Sequence, residues 1–488
     1  MALLARDAVP NVSLYNLRDR AGLSQQEVAE ALNDLARTKG KPWSCTTQSV
    51  SRWERGIVAR PDPLARRLLA ELFGVSIEEL GFTRQRPGSA VEGLDDLGLS
   101  ELDGVPAVLG SDPRVERSQD EWRTARRDLN ERRDALVQLA ARLYDPAMRL
   151  DGTGLLIRPD WMAPAPVDLA GISLDLRTAE APIVGGGEPQ AASALPLSSP
   201  ATRYRRYSHA LRDLATVRLF ENRLSYRLLD VDWTTPGGRM AFGHTTYFEM
   251  FDVCELAAHE TALAHPEQTN HPSWRRLPFR RLIGDPFALD QRPVLPSINT
   301  LTIRRSATGS PSMVLHRRDA ASVAMAGKML HIMPAGVFQP SSLLPASQAA
   351  DFNLWRNVMR EFSEEFLGNP EHQGDGSPID YDRTEPFAAL DQARRGGALR
   401  IYCFGIALDA LTLAGEVLTV AVINEDVYDE VFAGLVSAND EGTIAATTVP
   451  FEEHTVRRLL AGKPHTLAPA AAGCIQLAWQ HRRVVLGE

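Results

Sequence analysis

The hydrophobic positions change their spacing along the chain. Between residues 13 and 82 they fall at helical intervals in short blocks: Val28, Ala29 and Leu32 in "AGLSQQEVAEAL", Val50 and Trp53 in "TQSVSRWERG", and the leucines of "PLARRLLAELFGVSIEELGF". Ser24 and Thr46 stand where the N-caps of the first two helices belong, because a hydroxyl there accepts an orphan backbone N–H. Residues 84–113 lose the period and are rich in Gly, Pro and Asp, which predicts a linker. Helical spacing returns over 115–144. There Trp122, Leu129, Leu136 and Leu139 form a stripe that either seams two copies or packs on the next domain. "VGGGEPQAASALPLSSPA", 184–201, reads as a flexible loop. "RLSYRLLDVDW" reads as a strand and "TTYFEMFDVCELAAHETALAH" as a helix. From 297 onward strands are predicted in "NTLTIRRS", "SMVLHRR", "LRIYCFGIALDAL" and "EVLTVAVINE". A helix over 351–367 carries Leu354, Val358, Phe362 and Phe366 on one stripe, and a late helix falls at 450–462.

This pattern predicts a multidomain chain: an all-α domain over 12–83, the linker 84–113, a helical and mixed middle region over 114–296 for dimerisation or ligand contact, and an α/β (α+β) domain over 297–488. The 488 residues suffice for more than one core. A net charge of -9 argues against a general nucleic-acid coat, yet residues 1–86 carry about +3, enough for one small basic module. The four cysteines form no CxxC pair, which fits a reducing cytoplasm and disfavours a paired-cysteine zinc site. No apolar run is long enough to cross a bilayer, and the start lacks the h-region of a secretory leader. No serine elbow, P-loop or dinucleotide glycine fingerprint occurs.

Two amphipathic helices joined by a connection, the second capped at Thr46, make a helix-turn-helix pattern. "LSQQEVA", "SVSRWERG" and "LAELFGVSIEEL" resemble the Cro/repressor-type (XRE family) helix-turn-helix over nearly all of 13–82. That resemblance implies a five-helix domain that binds a double-stranded DNA operator. By position, Thr47, Gln48 and Arg52 would face base edges, where Gln suits adenine and Arg suits guanine. Gln25 and Ser51 would hold phosphates, with Arg55 adding charge. Trp53 and Glu54 read as structural. The family's connection is lengthened here by "NDLARTKGKPWS". A single such domain reads few base pairs, so a dimer on a two-fold site is expected.

"NVMREFSEEFLG", 357–368, raises a separate question. Glu361, Glu364 and Glu365 lie at i, i+3 and i+4 and share one helix face. Adjacent carboxylates repel unless a positive group intervenes. Mg²⁺ or Mn²⁺ is one solution, a solvated acidic face is another, and Arg360 either contacts a ligand or braces a neighbouring loop. "MPAG" before this helix, then "REFSEEFLG", resembles the Nudix family over about 297–488. The resemblance implies a site for a diphosphate linked to another moiety, with Glu361, Glu364 and Glu365 as metal ligands, Glu364 and Glu365 as the catalytic pair if active, and Arg360 as the box arginine. The loop from Gly336 to Arg360 is longer than the family's box, "PSS" stands where a glutamate is expected, and Gly368 falls one residue late. These departures favour sensing over hydrolysis.

Other polar candidates are His316 with Arg317 and Arg318, which either meet phosphate oxygens or form a solvated basic end, and Asp252, Glu255, His259 and Glu260, whose spacing is not HExxH. The layout as a whole is similar to actinobacterial regulators with a Cro-type N-terminal domain and a Nudix-like C-terminal half. It implies a cytoplasmic, homodimeric transcription regulator that senses a phosphorylated or nucleotide-like small molecule. The alternatives are a Mg-dependent diphosphate hydrolase with a DNA-binding appendage, and a constitutive DNA-binding protein.

Overall fold

The computed structural model describes residues 11–82 apart from 22, 39–44, 56–57, 59–60, 62, 74 and 76–79, and residues 112–488 apart from 216–220, 267–270, 319–328, 370–377, 434–437, 440–441, 444–447 and 463–465. They belong to two compact units, Met1–Gly110 and Ser111–Glu488. The linker expected at 84–113 thus lies almost wholly outside the described residues.

The first unit holds the helices Val12–Arg20, Gln25–Thr38, Thr47–Glu54 and Pro63–Phe73. Leu14, Val28, Ala29, Leu32, Val50, Trp53, Leu68, Leu69 and Leu80 make its core, so the apolar stripes meet as their period predicts. Both expected caps form. Ser24 Oγ accepts the Glu27 N–H at 3.1 Å while Glu27 accepts the Ser24 N–H at 2.7 Å. Thr46 Oγ1 accepts the Ser49 N–H at 3.2 Å. The Asn33 side chain grips Cys45 from both sides, accepting its N–H at 2.7 Å and donating to its carbonyl at 2.9 Å. This clamp returns the long connection to the second helix. The fifth helix expected here falls on residues 76–79, outside the described ones.

The second unit is built on a mixed sheet. Gly415–Asn424 pairs antiparallel with Leu399–Asp409 and parallel with Pro296–Arg305. Ala335–Val337 and Ser312–Met313 both pair with Pro296–Arg305, and Met162–Asp168 and Leu155–Leu156 add to Leu399–Asp409. The central strands read as near-continuous apolar runs because both faces are covered. One face, with Leu301, Ile303, Val420 and Val422, packs on the helix Pro469–Gln480 through Ala471, Cys474 and Ile475. The other, with Ile298, Ile401, Ala421 and Ile423, belongs to the core that holds Val358, Phe362 and Phe366. A second sheet sets Arg239–Thr246 between Leu224–Asp232 and Ser173–Leu176.

Several expectations change. The boundary expected at 296/297 divides nothing, because residues 149–168 supply edge strands to the sheet of 296–424. The helix expected over 115–144 is two helices, Pro113–Glu131 and Arg133–Ala141. Its stripe of Trp122, Leu129, Leu136 and Leu139 is buried in the unit's own core, so it is not a seam between copies. The patch 184–201 is ordered: Pro189–Ala194 is a 3₁₀ helix, and Val184, Ala191, Ala194 and Leu195 are buried. Small residues permit that close packing, and the composition alone reads as a loop. Among the described residues no helix is long and apolar enough to cross a membrane.

Candidate functional site

Within the first unit, the helix Thr47–Glu54 buries Val50 and Trp53 and leaves Thr47 and Arg52 exposed, with Ser51 half-buried and Arg55 exposed at its end. The Gln48 side chain is outside the described residues. Gln25, expected at a phosphate, donates to Glu54 Oε2 at 2.6 Å. Glu54 also accepts Arg18 Nε at 2.6 Å, and its carbonyl takes the Asn11 N–H at 2.7 Å. Buried Glu54 thus ties three helices together, as its structural reading requires, and Gln25 shares that task.

The glutamate helix in the second unit begins at Leu354, capped by Asn353, whose side chain accepts the Arg356 N–H at 3.0 Å. It runs as an α-helix to Glu361 and widens into a π-turn over Phe362–Phe366. The widened turn carries Glu364 and Glu365. Glu365 is buried, while Glu361 and Glu364 are half-buried. The Ala335 N–H donates to Glu365 Oε2 at 3.2 Å. The Glu361 carboxylate lies where a Cβ on Gly336 would stand. The "MPAG" segment and the glutamates therefore do meet, but through backbone. Among the described residues no group of three His, Cys, Asp or Glu side chains is set to hold a metal ion.

The positive group beside them is Arg360. It is buried, donates to Gln339 O at 2.6 Å and Asn357 Oδ1 at 2.9 Å, and pairs with Asp351 at 3.0 Å. Burial opposes its charge, but Tyr381, Asp351, Glu361 and Glu364 outweigh that and raise its pKa. Asp351 is held in turn by the Ser341 N–H at 2.7 Å, the Ser341 hydroxyl at 2.5 Å and the Tyr381 hydroxyl at 2.5 Å. Arg360 is thus the brace of the 339–351 loop. Sequence reasoning missed Asp351 and Tyr381. The one available signal was an Asp closing a loop just ahead of a helix with an inward Arg.

Near the helix start, Leu169, Ala170, Ile172, Leu174, Phe352, Asn353 and Leu354 line a pocket of about 210 Å³. Arg317 and Arg318 lie on the strand Leu315–Arg318, and their side chains are outside the described residues. His316 is fully buried, not at a solvated end.

Asp252, Glu255, His259 and Glu260 are all buried. Arg126 donates to Glu255 Oε2 and to the Tyr207 hydroxyl, both at 2.9 Å, and Arg133 donates to Glu255 Oε1 at 3.3 Å. The Tyr207 hydroxyl, accepting from Arg126, keeps its own proton for His259 Nδ1 at 2.9 Å. His259 is then a neutral imidazole stacked on Trp122, with ring centroids 5.4 Å apart. Glu260 caps Pro278–Ile283 by accepting the Phe279 and Arg280 N–H groups at 2.7 and 3.0 Å. These residues tie helices together and form no open site.

Burial, with Arg126 adding repulsion, holds the His259 pKa down to about 3, below its ordinary 6.5. The unfolded chain therefore takes up a proton that the native chain refuses. Stability from this group is complete above pH 6.5 and is lost as pH falls toward 3, by about 1.4 kcal/mol per pH unit. Urea unfolding between pH 6.5 and 4.5 should show this slope in the wild type and lose it in His259→Phe.

A family model described as the SP15 N-terminal domain matches residues 14–83, within the helical unit. No curated protein matches the chain.

Proposed function

We propose that the protein is a DNA-binding transcription regulator of the Cro/repressor-type helix-turn-helix class. The observation that carries this reading is the helix Thr47–Glu54: its inner face is locked in the core, and Thr47 and Arg52 stand on its open side. A helix so placed suits the major groove, where Arg52 can pair with guanine and Arg55 can meet a phosphate. The second unit is the Nudix-like sensor half, responsive to a phosphorylated or nucleotide-like molecule. Support for that comes from the glycine of "MPAG" packed on Glu361 and from the mixed sheet between helices. Glu365 and Arg360 are engaged within the fold, which favours sensing over hydrolysis.

Anisotropy of a labelled duplex with the full chain tests the first part. Affinity should fall with rising salt as phosphate contacts release counterions, and Arg55→Ala should reduce the log–log slope by about one. Arg52→Ala should weaken binding to the preferred duplex by about 1–3 kcal/mol, roughly 5- to 150-fold. Binding that ignores salt and both substitutions contradicts the reading. Incubation with Mg²⁺ and a panel of nucleotides tests the second part: turnover lost in Glu364→Gln makes the unit a hydrolase instead.

A further inference from the structure

The strand Ser173–Leu176 lies at the edge of the three-stranded sheet, and among the described residues no strand pairs with its outer side. It runs parallel to Arg239–Thr246, with Ser173 opposite Arg239 and Leu176 opposite Phe242. The Ser173 N–H donates to Gly238 O at 3.0 Å and the Arg177 N–H to Phe242 O at 2.8 Å. Residues 173, 175 and 177 therefore turn their backbone groups inward. By the alternation of a ladder, Leu174 and Leu176 turn theirs outward. Leu176 is 42% exposed. It shares a face with Ile172 and Leu174, which line the pocket beside Phe352 and Leu354. On the opposite face half-buried Asp175 pairs with exposed Arg177 at 2.7 Å and stands 3.9 Å from the Arg239 guanidinium. An edge with outward backbone groups and an exposed leucine is a template for strand addition.

We propose that this edge is covered by a second copy of the chain, two edges pairing antiparallel about a two-fold axis. The charges select the register. With Leu176 opposite the partner's Leu176, the two leucines exchange both backbone hydrogen bonds. Asp175 then faces the partner's Arg177, and Arg177 faces the partner's Asp175, at the closely spaced positions of the ladder. In the neighbouring register that also matches outward groups, Leu174 opposite the partner's Leu176, Asp175 would face the partner's Asp175 and repel it. The favoured register joins two three-stranded sheets into one and sets Leu176 against its symmetry mate beside the apolar pocket wall. Such an interface is isologous, with the same residues on both sides.

Sedimentation velocity of the full chain over a concentration series tests this without DNA, so its outcome is separate from that of the DNA-binding reading. The wild type should be a dimer. Asp175→Arg places arginine opposite arginine twice and should raise the dimer dissociation constant on the order of 30-fold. Asp175→Arg combined with Arg177→Asp restores opposite charges in the same register and should return it to within a few-fold of wild type. Circular dichroism melts of the variants check that each remains folded at the temperature of sedimentation, since Asp175 also pairs with Arg177 and Arg239 within the chain. If Asp175→Arg fails to fold, Arg177→Asp alone provides the like-charge test. A wild type that stays monomeric, a dimer indifferent to the single reversal, or a weakened dimer that the double reversal does not restore each overturns the proposal.

Discussion

Asp351→Asn is expected to destabilise the second unit by roughly 3–5 kcal/mol, the cost of leaving a buried charge without its partner. Asp351 is fully buried and faces the Arg360 guanidinium at 3.0 Å while accepting from Ser341 and Tyr381. The amide keeps the shape but removes the charge and turns donors toward donors. Arg360 then remains buried with only neutral oxygens at that end. Loss of the Ser341 contacts should also free the 339–351 loop. Denaturant unfolding reads the first effect, and limited proteolysis within 340–346 reads the second. Asp351→Asn/Arg360→Met should recover part of the loss, because the orphaned charge is gone. A change below about 1 kcal/mol for the single substitution would show that the pair is solvated and is not the brace described above.

Gly336→Ala is expected to cost about 1–3 kcal/mol for a single added methyl group. The reason is room, since Gly336 does not have a positive φ. A Cβ there meets the Glu361 carboxylate, and its strand partner Ile298 allows little retreat because it sits in the sheet. Glu361→Ala vacates the space, so the double substitution should be less damaged than Gly336→Ala alone. A double-mutant cycle on unfolding free energies measures this coupling. Additive losses would mean that the glycine and the glutamate do not meet.

Much of the architecture was legible because it rests on local rules. The stripe of Val28, Ala29 and Leu32, the caps at Ser24 and Thr46, and the run Leu354, Val358, Phe362, Phe366 all follow from periodicity and terminal hydrogen bonding. What escaped is non-local. Nothing near residue 162 signals that Met162–Asp168 will pair with a strand more than two hundred residues later. The helix Tyr247–Ala264 mixes acids and a histidine into an apolar run, and groups arriving from elsewhere in the chain, Arg126, Arg133, Tyr207 and the Ser208, Phe279 and Arg280 N–H donors, make their burial tolerable. The π-turn at Phe362–Phe366 also escaped, because no residue type there encodes it. The candidate site was thus half legible: its glycine, its acids and a loop-bracing role for Arg360 were foreseen, but Asp351 and Tyr381, which complete that brace, were not.

Selection from a random duplex pool by the full chain tests the central claim most directly, with Thr47→Ala/Arg52→Ala as control. The account predicts enrichment of a defined motif, arranged as two half-sites if the chain acts as a dimer, and loss of that enrichment in the control, whose two exposed side chains leave the core of Val50 and Trp53 intact. No enrichment by the wild type, or the same motif enriched by the control, would contradict it.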